Sequence, residues 1–464
     1  MDNKCLVRII KSELIHFKNV EYGEIRYMNY QAVENEARIT NNDIVGIYGQ
    51  NGSGKTAVVE ALDILKYILA GQEIPYEEYE GLLYNDGTTQ IITTFFVKRD
   101  ERKYKTEYIV FLQANRNEKK INLISEKLTF WQRGATWKSE RYVKFNNPYY
   151  NTELIAENIP AELDSNVKNI GDMKLAYGLQ NLAVYCAQKS VSLFFNSLML
   201  TKLTDKNTSD YLEENILNTL VQDLSYFGNL NFQVVKVNQG YLPLFMNGTG
   251  MISEQLYSQL KNAIGSINIA LKAIIPNLRI ELRVVSEELD REGNRNILVE
   301  AYSIRDGKEF LTKYESEGIK RIISLLNYLI SVYNYPEICL VVDELDSGIF
   351  EYLLGELLGV LNEEAKGQLI FTSHNLRAFE KLNIKNIICS TINPKNRYIR
   401  LVGKEKNHNP RDFYIRTITI GGQKEELYDE TDLETLGYAF RRACQPKNDV
   451  KIHFSDTFKE KLKN

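Results

Sequence analysis

The chain has 464 residues, enough for two or three compact regions, and 44% of them are hydrophobic, enough to fill ordinary cores. Its 57 Lys and Arg against 61 Asp and Glu leave a net charge of -4, so no global positive field draws it to nucleic acid or anionic lipid, and any DNA contact needs a local patch. Cys5, Cys186, Cys339, Cys389 and Cys444 are odd in number, widely spaced and form no C-x-x-C pair, which speaks against a disulfide framework or zinc site and for a reducing cytoplasm.

In chain order, the N-terminus shows no apolar leader, and no run approaches the ~20 apolar residues of a spanning helix, so neither export nor membrane insertion is expected. Residues 43–48, DIVGIY, read as a short buried strand. GQNGSGKT follows with its turn glycines, and Val58, Ala61, Leu62, Leu65, Ile68 and Leu69 recur at helical spacing up to Gly71. From Thr89 to Phe145 the pattern alternates and is rich in aromatics, TQIITTFFV and TEYIVFLQ flanking the charged KRDERKYK, which predicts an arm of antiparallel hairpins. Residues 191–275 read as an inserted, mostly helical lid, with DYLEENILNTLVQDL and SEQLYSQLKNAIGSINIALKAI on either side of the strand-like NFQVVKV.

After Pro276 come a hairpin (LRIELRVV, NILVEAYSI), a helix over 319–333, the strand ICLVVDE, a helix over 348–364 and the strand QLIFTSH. Such alternation predicts an α/β fold with a mostly parallel sheet covered by helices. With no repeat, low-complexity tract or Pro/Gly/Ser-rich linker, the first and last thirds are expected to fold together. The division is then 1–190, 191–275 (the lid) and 276–464.

Three strand ends carry chemistry. Gly49–Thr56 matches G-x-x-x-x-G-K-[ST], in which backbone N–H groups wrap phosphate oxygens, Lys55 reaches the β- and γ-phosphates and the Thr56 hydroxyl ligates Mg²⁺ at a helix N-terminus that favours anions. The candidate ATP-binding residues are therefore Gly49, Asn51, Gly52, Ser53, Gly54, Lys55 and Thr56. ICLVVDE is an apolar strand that delivers Asp343 and Glu344 to the sheet edge where open α/β folds bind ligands. Asp343 is expected to hold Mg²⁺ through water, and Glu344 to orient or deprotonate the attacking water. His374 closes the next strand, where an imidazole can hydrogen-bond the γ-phosphate. A fourth stretch, KYESEGIKRI, reads locally as Ser316 capping a helix with Ile319, Ile322, Ile323, Leu326 and Ile330 on one face.

In this order the motifs resemble the Walker A loop, Walker B strand, D-loop (ELDSGI, with Asp346) and H-loop of the ABC ATPase superfamily, and ESEGIKR resembles its S-x-G signature. The resemblance covers residues 5–70 and 296–390. IKSELIHFKNVEYGEI, GQNGSGKTAVVEAL, ESEGIKRIISLL and DELDSGI are most similar to the RecF, SMC and OLD branch, especially the stand-alone AAA-type ATPases of bacterial abortive-infection and phage-defence systems. It implies an ABC-type P-loop head that hydrolyses ATP with Mg²⁺, bearing the β arm and the lid. It also implies a homodimer or higher oligomer in which the nucleotide is sandwiched, with Ser316, Glu317 and Gly318 acting in trans on ATP held by the partner's loop. A separately encoded effector, such as a nuclease, is the implied partner. A RecF-like repair ATPase that binds DNA directly and an ATP-dependent assembly scaffold with little turnover are the alternatives.

Some features depart from the pattern or stand outside it. Glu317 and Ile319-Lys320 break the L-S-G-G-Q of transporter subunits, and Gln188 in YCAQKSVSLF is a weak candidate for the metal-contacting Q-loop. The lid is too short for an SMC coiled coil, and residues 391–464 contain no D-x-D and are too few for a fused nuclease. KRDERKYK reads as a solvated hairpin tip or, with Tyr104, as a phosphate and base contact. YDETDLETLGYAFRRA reads as a capped surface helix able to dock a partner.

Overall fold

The computed structural model describes residues 5–28, 43–85, 87–100, 102–133, 137–146, 154–157, 186, 188–192, 194–195, 216–236, 249–289, 293–402, 410–430 and 432–443. Cys444, Glu101, Val237, Thr431 and the stretches 196–215 and 237–248 of the expected lid lie outside them.

The central sheet runs in the order β17-β16-β3-β15-β14-β9. Strands β3 (Ile44–Tyr48), β9 (Phe232–Val235), β14 (Cys339–Val342), β15 (Gln368–Thr372) and β16 (Ile387–Ser390) are parallel, and β17 (Tyr398–Ile399) closes one edge antiparallel. IVGIY, CLVV, QLIFT and IICS are buried at every position, as strands covered on both faces must be. Their alternate residues feed two cores. Val45, Ile47, Val341, Ile370 and Ile388 pack with helix α1 (Lys55–Leu69), while Ile44, Tyr48, Leu340, Val342, Leu369 and Phe371 pack with α4 (Glu317–Asn334) and α5 (Glu351–Glu364).

NFQVVKV, expected inside the inserted lid, instead supplies β9, the edge strand beside β14. Helix α2 (Ile216–Tyr226) leads into it through a π-turn at Phe227–Asn231, and Leu220, Leu224, Phe227 and Phe232 join the core around α1. A four-residue strand pairing in parallel with a segment more than 100 residues away leaves no local mark. Helix α3 (Glu254–Ile274) forms where the helical spacing predicted it, with Ser253 Oγ accepting from Leu256 N–H at 3.3 Å. It packs on a second sheet of β10 (Thr249–Ser253), β12 (Arg295–Arg305) and β11 (Leu278–Leu289), with β13 (Lys308–Leu311) also on β12.

The antiparallel hairpins are β4 (Thr89–Arg99), β5 (Arg102–Asn115), β6 (Lys120–Arg133), β7 (Trp137–Asn146) and β8 (Leu154–Glu157). They continue a sheet begun by β1 (Cys5–Phe17) and β2 (Val20–Arg26), in the order β2-β1-β4-β5-β6-β7-β8. This sheet covers the outer side of α1, so the phosphate-loop helix lies between two sheets. Buried polar groups stitch the sheets together. The register of β1 against β4 shifts between Ile9 and Lys11, and the Gln368 side chain accepts from Ile9 N–H (3.0 Å) and donates to Ile9 C=O (2.8 Å). Fully buried Arg8 pairs with Asp43 at 2.7 Å and donates to the carbonyls of Lys366 (2.8 Å) and Pro336. All of this belongs to one compact unit, Met1–Leu427; the second, Tyr428–Asn464, contains helix α7 (Leu433–Ala443), and α6 (Pro410–Ile420) precedes it in the first. No described helix is long and apolar enough to cross a membrane.

Candidate functional site

Strand β3 ends at Tyr48 and α1 begins at Lys55, so the intervening loop opens at the C-terminal edge of the parallel strands. Gly52 and Gly54 sit at φ 78° and 90°, where a side chain is strained, and a Cβ on Gly49 would come 2.0 Å from Ser390 Oγ. The Lys55 ammonium folds over the loop and donates to the carbonyls of Gly49 (2.9 Å) and Gln50 (2.8 Å). Burial pushes its pKa below the ordinary lysine value, opposed by the charges of Asp343, Glu344 and Asp346.

Asp343 is buried at the end of β14, with Oδ1 accepting from Thr372 Oγ1 at 2.5 Å and lying 3.5 Å from Thr56 Oγ1. Thr372 Oγ1 in turn accepts from Glu344 N–H at 2.7 Å. One hydroxyl on the neighbouring strand thus fixes the Asp343 carboxylate and the backbone that carries Glu344. Glu344 has φ 45°, a left-handed conformation costing a non-glycine residue about 1–3 kcal/mol, of the kind that persists at functional sites. Arg321, on α4, donates to Asp343 C=O at 3.0 Å. His374 N–H donates to Asp346 Oδ2 at 3.1 Å. Burial, then the Lys55 charge, lowers the His374 pKa from 6.5, leaving a neutral imidazole at pH 7.

A pocket of about 210 Å³ gathers Asn51, Gly52, Gly54, Lys55, Thr56, Glu344 and His374 from the expected site. Asp343 stands behind it through Thr56 and Thr372, and Ser53 is in the loop, its hydroxyl donating to Gln50 C=O at 2.7 Å. Lys18, Asn19 and Thr372 also line the pocket, though the sequence did not single them out. Lys18 and Asn19 form the β1–β2 turn, where Lys18 has φ 54° and its ammonium pairs with Glu60 at 2.9 Å. Thr372 carried a faint signal, a hydroxyl closing an otherwise apolar strand; the turn lay inside the IKSELIHFKNVEYGEI stretch, but its approach to the loop is purely tertiary.

Gln188 is not brought to the pocket. It is exposed, and its carbonyl accepts from Lys120 Nζ (3.1 Å) at the start of β6. Ser316 and Glu317 are exposed at the head of α4, with Ser316 Oγ accepting from Ile319 N–H (3.4 Å) and Glu317 pairing with Lys320 at 2.9 Å. Gly318 has a role the sequence did not disclose: a Cβ there would lie 2.3 Å from the Gly348 carbonyl. The glycine lets the turn at Gly348 pack against the head of α4.

Among the described residues no group of three or more His, Cys, Asp or Glu is placed to hold a metal. The hard oxygens of Thr56 and Asp343 nevertheless fit Mg²⁺, which commonly takes one or two protein oxygens together with phosphate oxygens and water.

Residues 44–379 match the family model described as "AAA domain, putative AbiEii toxin, Type IV TA system". The chain belongs to that family. Its membership agrees with the AAA-type, abortive-infection resemblance carried by the motifs, and Asn51, Lys55, Thr56, Glu344, Thr372 and His374 of the pocket lie within the matched span. Similar solved structures include an Smc head domain with a coiled coil and joint from Pyrococcus yayanosii, at 12% identity and TM-score 0.39, covering 86% of this chain and 98% of that one. The SMC head domain from Thermotoga maritima matches at 12% identity and TM-score 0.33, covering 85% and 100%. The recombination mediator protein RecF with ATP matches at 11% and 0.30, covering 80% and 94%. With identity and superposition this low, the family assignment stands on the family model. No curated protein matches the chain significantly.

Proposed function

We propose that this AAA-family protein binds and hydrolyses MgATP at the pocket between the phosphate loop and β14, as a switch that two copies close head to tail. The observation that carries the reading is the convergence of Lys55, Thr56, Glu344 and His374 on one pocket, with Asp343 held against Thr56 and Thr372. Lys55 exchanges the carbonyls of Gly49 and Gln50 for phosphate oxygens, a short movement that restores its lost hydration with charge-assisted bonds. Thr56 and, through water, Asp343 would hold Mg²⁺, which would supply neutralisation of the phosphate charge. Glu344 orients or deprotonates the attacking water, and neutral His374 hydrogen-bonds the γ-phosphate.

The exposed Ser316 hydroxyl and the N-terminus of α4 offer an anion contact at the protein surface, outside the pocket lining, which supports their use on ATP held by a second copy. ATP contacting both copies only in the closed dimer supplies the differential affinity that a switch requires. In the biological role we infer, the closed and open states control a separately encoded effector during phage defence in the cytoplasm, in keeping with the abortive-infection family and with unpaired Cys5, Cys186, Cys339 and Cys389.

Mixing Lys55→Ala with Ser316→Arg protein, each inactive alone, tests the shared site. Turnover per subunit should recover with concentration, because one of the two sites in a mixed dimer is intact; no recovery at any ratio rejects the head-to-tail arrangement. Tagged Glu344→Gln protein held in MgATP should retain a stoichiometric second protein, whereas retention of DNA alone would favour a repair role.

A further inference from the structure

The phosphate loop is gripped from its outer side by a segment to which the proposed reaction assigns nothing. Beyond β16 the chain folds back across the β1–β2 turn. Pro394 C=O accepts from the N–H groups of Glu21 and Tyr22, both at 2.9 Å, and Arg397 N–H donates to Tyr22 C=O at 3.2 Å. The buried Arg397 guanidinium donates to the carbonyls of Thr391 (2.8 Å) and Asn19 (2.5 Å), and Asn19 donates its amide to Gly52 C=O. Buried Tyr398 donates its hydroxyl to Gly54 C=O at 2.7 Å, its ring lying so close over Gly23 that a Cβ there would come within 2.5 Å. Ser390 Oγ lies 2.5 Å from Ser53 Oγ.

The geometry of one peptide unit gives this grip a consequence. In a trans peptide the carbonyl and the following N–H point in opposite directions. Tyr398 holds the Gly54 carbonyl outward, so Lys55 N–H is aimed into the hollow of the loop, where an anion is cradled. Glycine at φ 90° is otherwise free to rotate that unit. At its far end the segment is fastened by Glu425, which accepts from Asn396 Nδ2 (2.8 Å) and Asn393 Nδ2 (2.9 Å), while Ile392 N–H donates to Glu426 C=O at 3.1 Å. These two amide bonds hold the Glu425 carboxyl below its ordinary pKa, so it stays an acceptor for both. Glu425 also sits at the end of the first compact unit, next to where the chain enters the second.

We propose that Ser390–Tyr398 is a clamp that presets the phosphate loop, with Tyr398 as a positioning residue for nucleotide binding and Glu425 as the latch through which the C-terminal end of the unit sets nucleotide affinity. The proposal rests on the nucleotide-binding reading of the pocket. A group pulling on the chain beyond Leu427 works first against the buried Leu427 side chain, then on the latch, next on the Asn393–Arg397 turn, and last on the peptides at Gly52 and Gly54.

The test uses the full chain with Tyr398→Phe, which keeps the ring over Gly23, and Glu425→Gln, which puts an amide donor against one of two amide donors. Backbone hydrogen exchange in peptides covering 49–58 is measured without nucleotide, alongside ATP affinity, KM and kcat. Both variants should exchange faster there and bind ATP roughly three- to ten-fold more weakly, KM rising far more than kcat, as loss of one hydrogen bond predicts. A merely structural role would lower Tm and leave exchange at 49–58 and KM alone. Wild-type exchange and affinity in both variants overturns the clamp. Should Tyr398→Phe not fold, Glu425→Gln, at a half-buried position, decides alone. A wild-type chain that binds no ATP would reject the functional reading, while the exchange comparison would still settle whether the clamp acts on the loop.

Discussion

Lys55, Asp343 and Thr372 are buried at the sheet edge with their polar atoms engaged inside the protomer, whereas Ser316 and Glu317 stand exposed at the head of α4 and bond only within their own helix. The first region is organised by the protein's own groups: Thr372 holds Asp343 and the backbone of Glu344, which sits at φ 45°. The second is a surface at the head of α4, positioned by the close approach of Gly318 to Gly348. This asymmetry supports the proposed division of the site between two copies, with the half that holds the charge organised inside the fold and the half that would sense it left at the surface.

The largest break in the comparison is predicted for Lys55→Ala, which should abolish measurable ATP binding, and for Glu344→Gln, which should retain binding while turnover falls about 100-fold or more, in line with electrostatic and general-base contributions. Isothermal titration beside a phosphate-release assay separates the two outcomes. Gly318→Ala comes next. Its methyl must displace the Gly348 carbonyl, so both thermal stability, by about 1–3 kcal/mol, and turnover should fall, linking the sensing surface to the D-loop behind it. Wild-type stability in this variant would mean that the D-loop yields freely.

Thr372→Val keeps the shape of β15 but orphans Glu344 N–H and removes a partner of Asp343, costing about 1–3 kcal/mol in chemical denaturation and lowering turnover more than ATP affinity. The smallest effect is acid sensitivity at His374. Its folded pKa lies below the ordinary 6.5, so the unfolded chain takes up the proton first. Stability is full above that value and declines as pH falls through 6.5 toward the lowered pKa. A His374→Gln variant should lose Tm less steeply than wild type over about pH 7 to 5.

The legible parts of this molecule are those whose cause is local. GQNGSGKT between an apolar strand and a helically spaced run could be read directly, and so could ICLVVDE and LIFTSH as strands that present polar residues at one edge. Asn19, Arg321, Tyr398 and Gly318 could not, because each acts on a group fixed by another element: Asn19 on Gly52, Arg321 on Asp343, Tyr398 on Gly54 and Gly318 on Gly348. NFQVVKV was misplaced in the lid for the same reason, since its pairing with Cys339–Val342 depends on a sheet edge assembled from the far end of the chain. Gln188 shows the converse: a suitable residue type in a polar segment that the fold carries to Lys120 instead.

The strand–loop–helix around GQNGSGKT, the order of the strand-end acids and imidazole, and the capped helix at Ser316 are written in the chain itself, because periodicity, glycine conformation and capping act over a few residues. Only the tertiary structure decided that the antiparallel and parallel sheets enclose α1 through Arg8 and Gln368, that Thr372 organises both acids, and that the 390–398 segment grips the phosphate loop. A buried donor or acceptor must find a partner wherever the chain happens to bring one, and no short-range pattern encodes where that is.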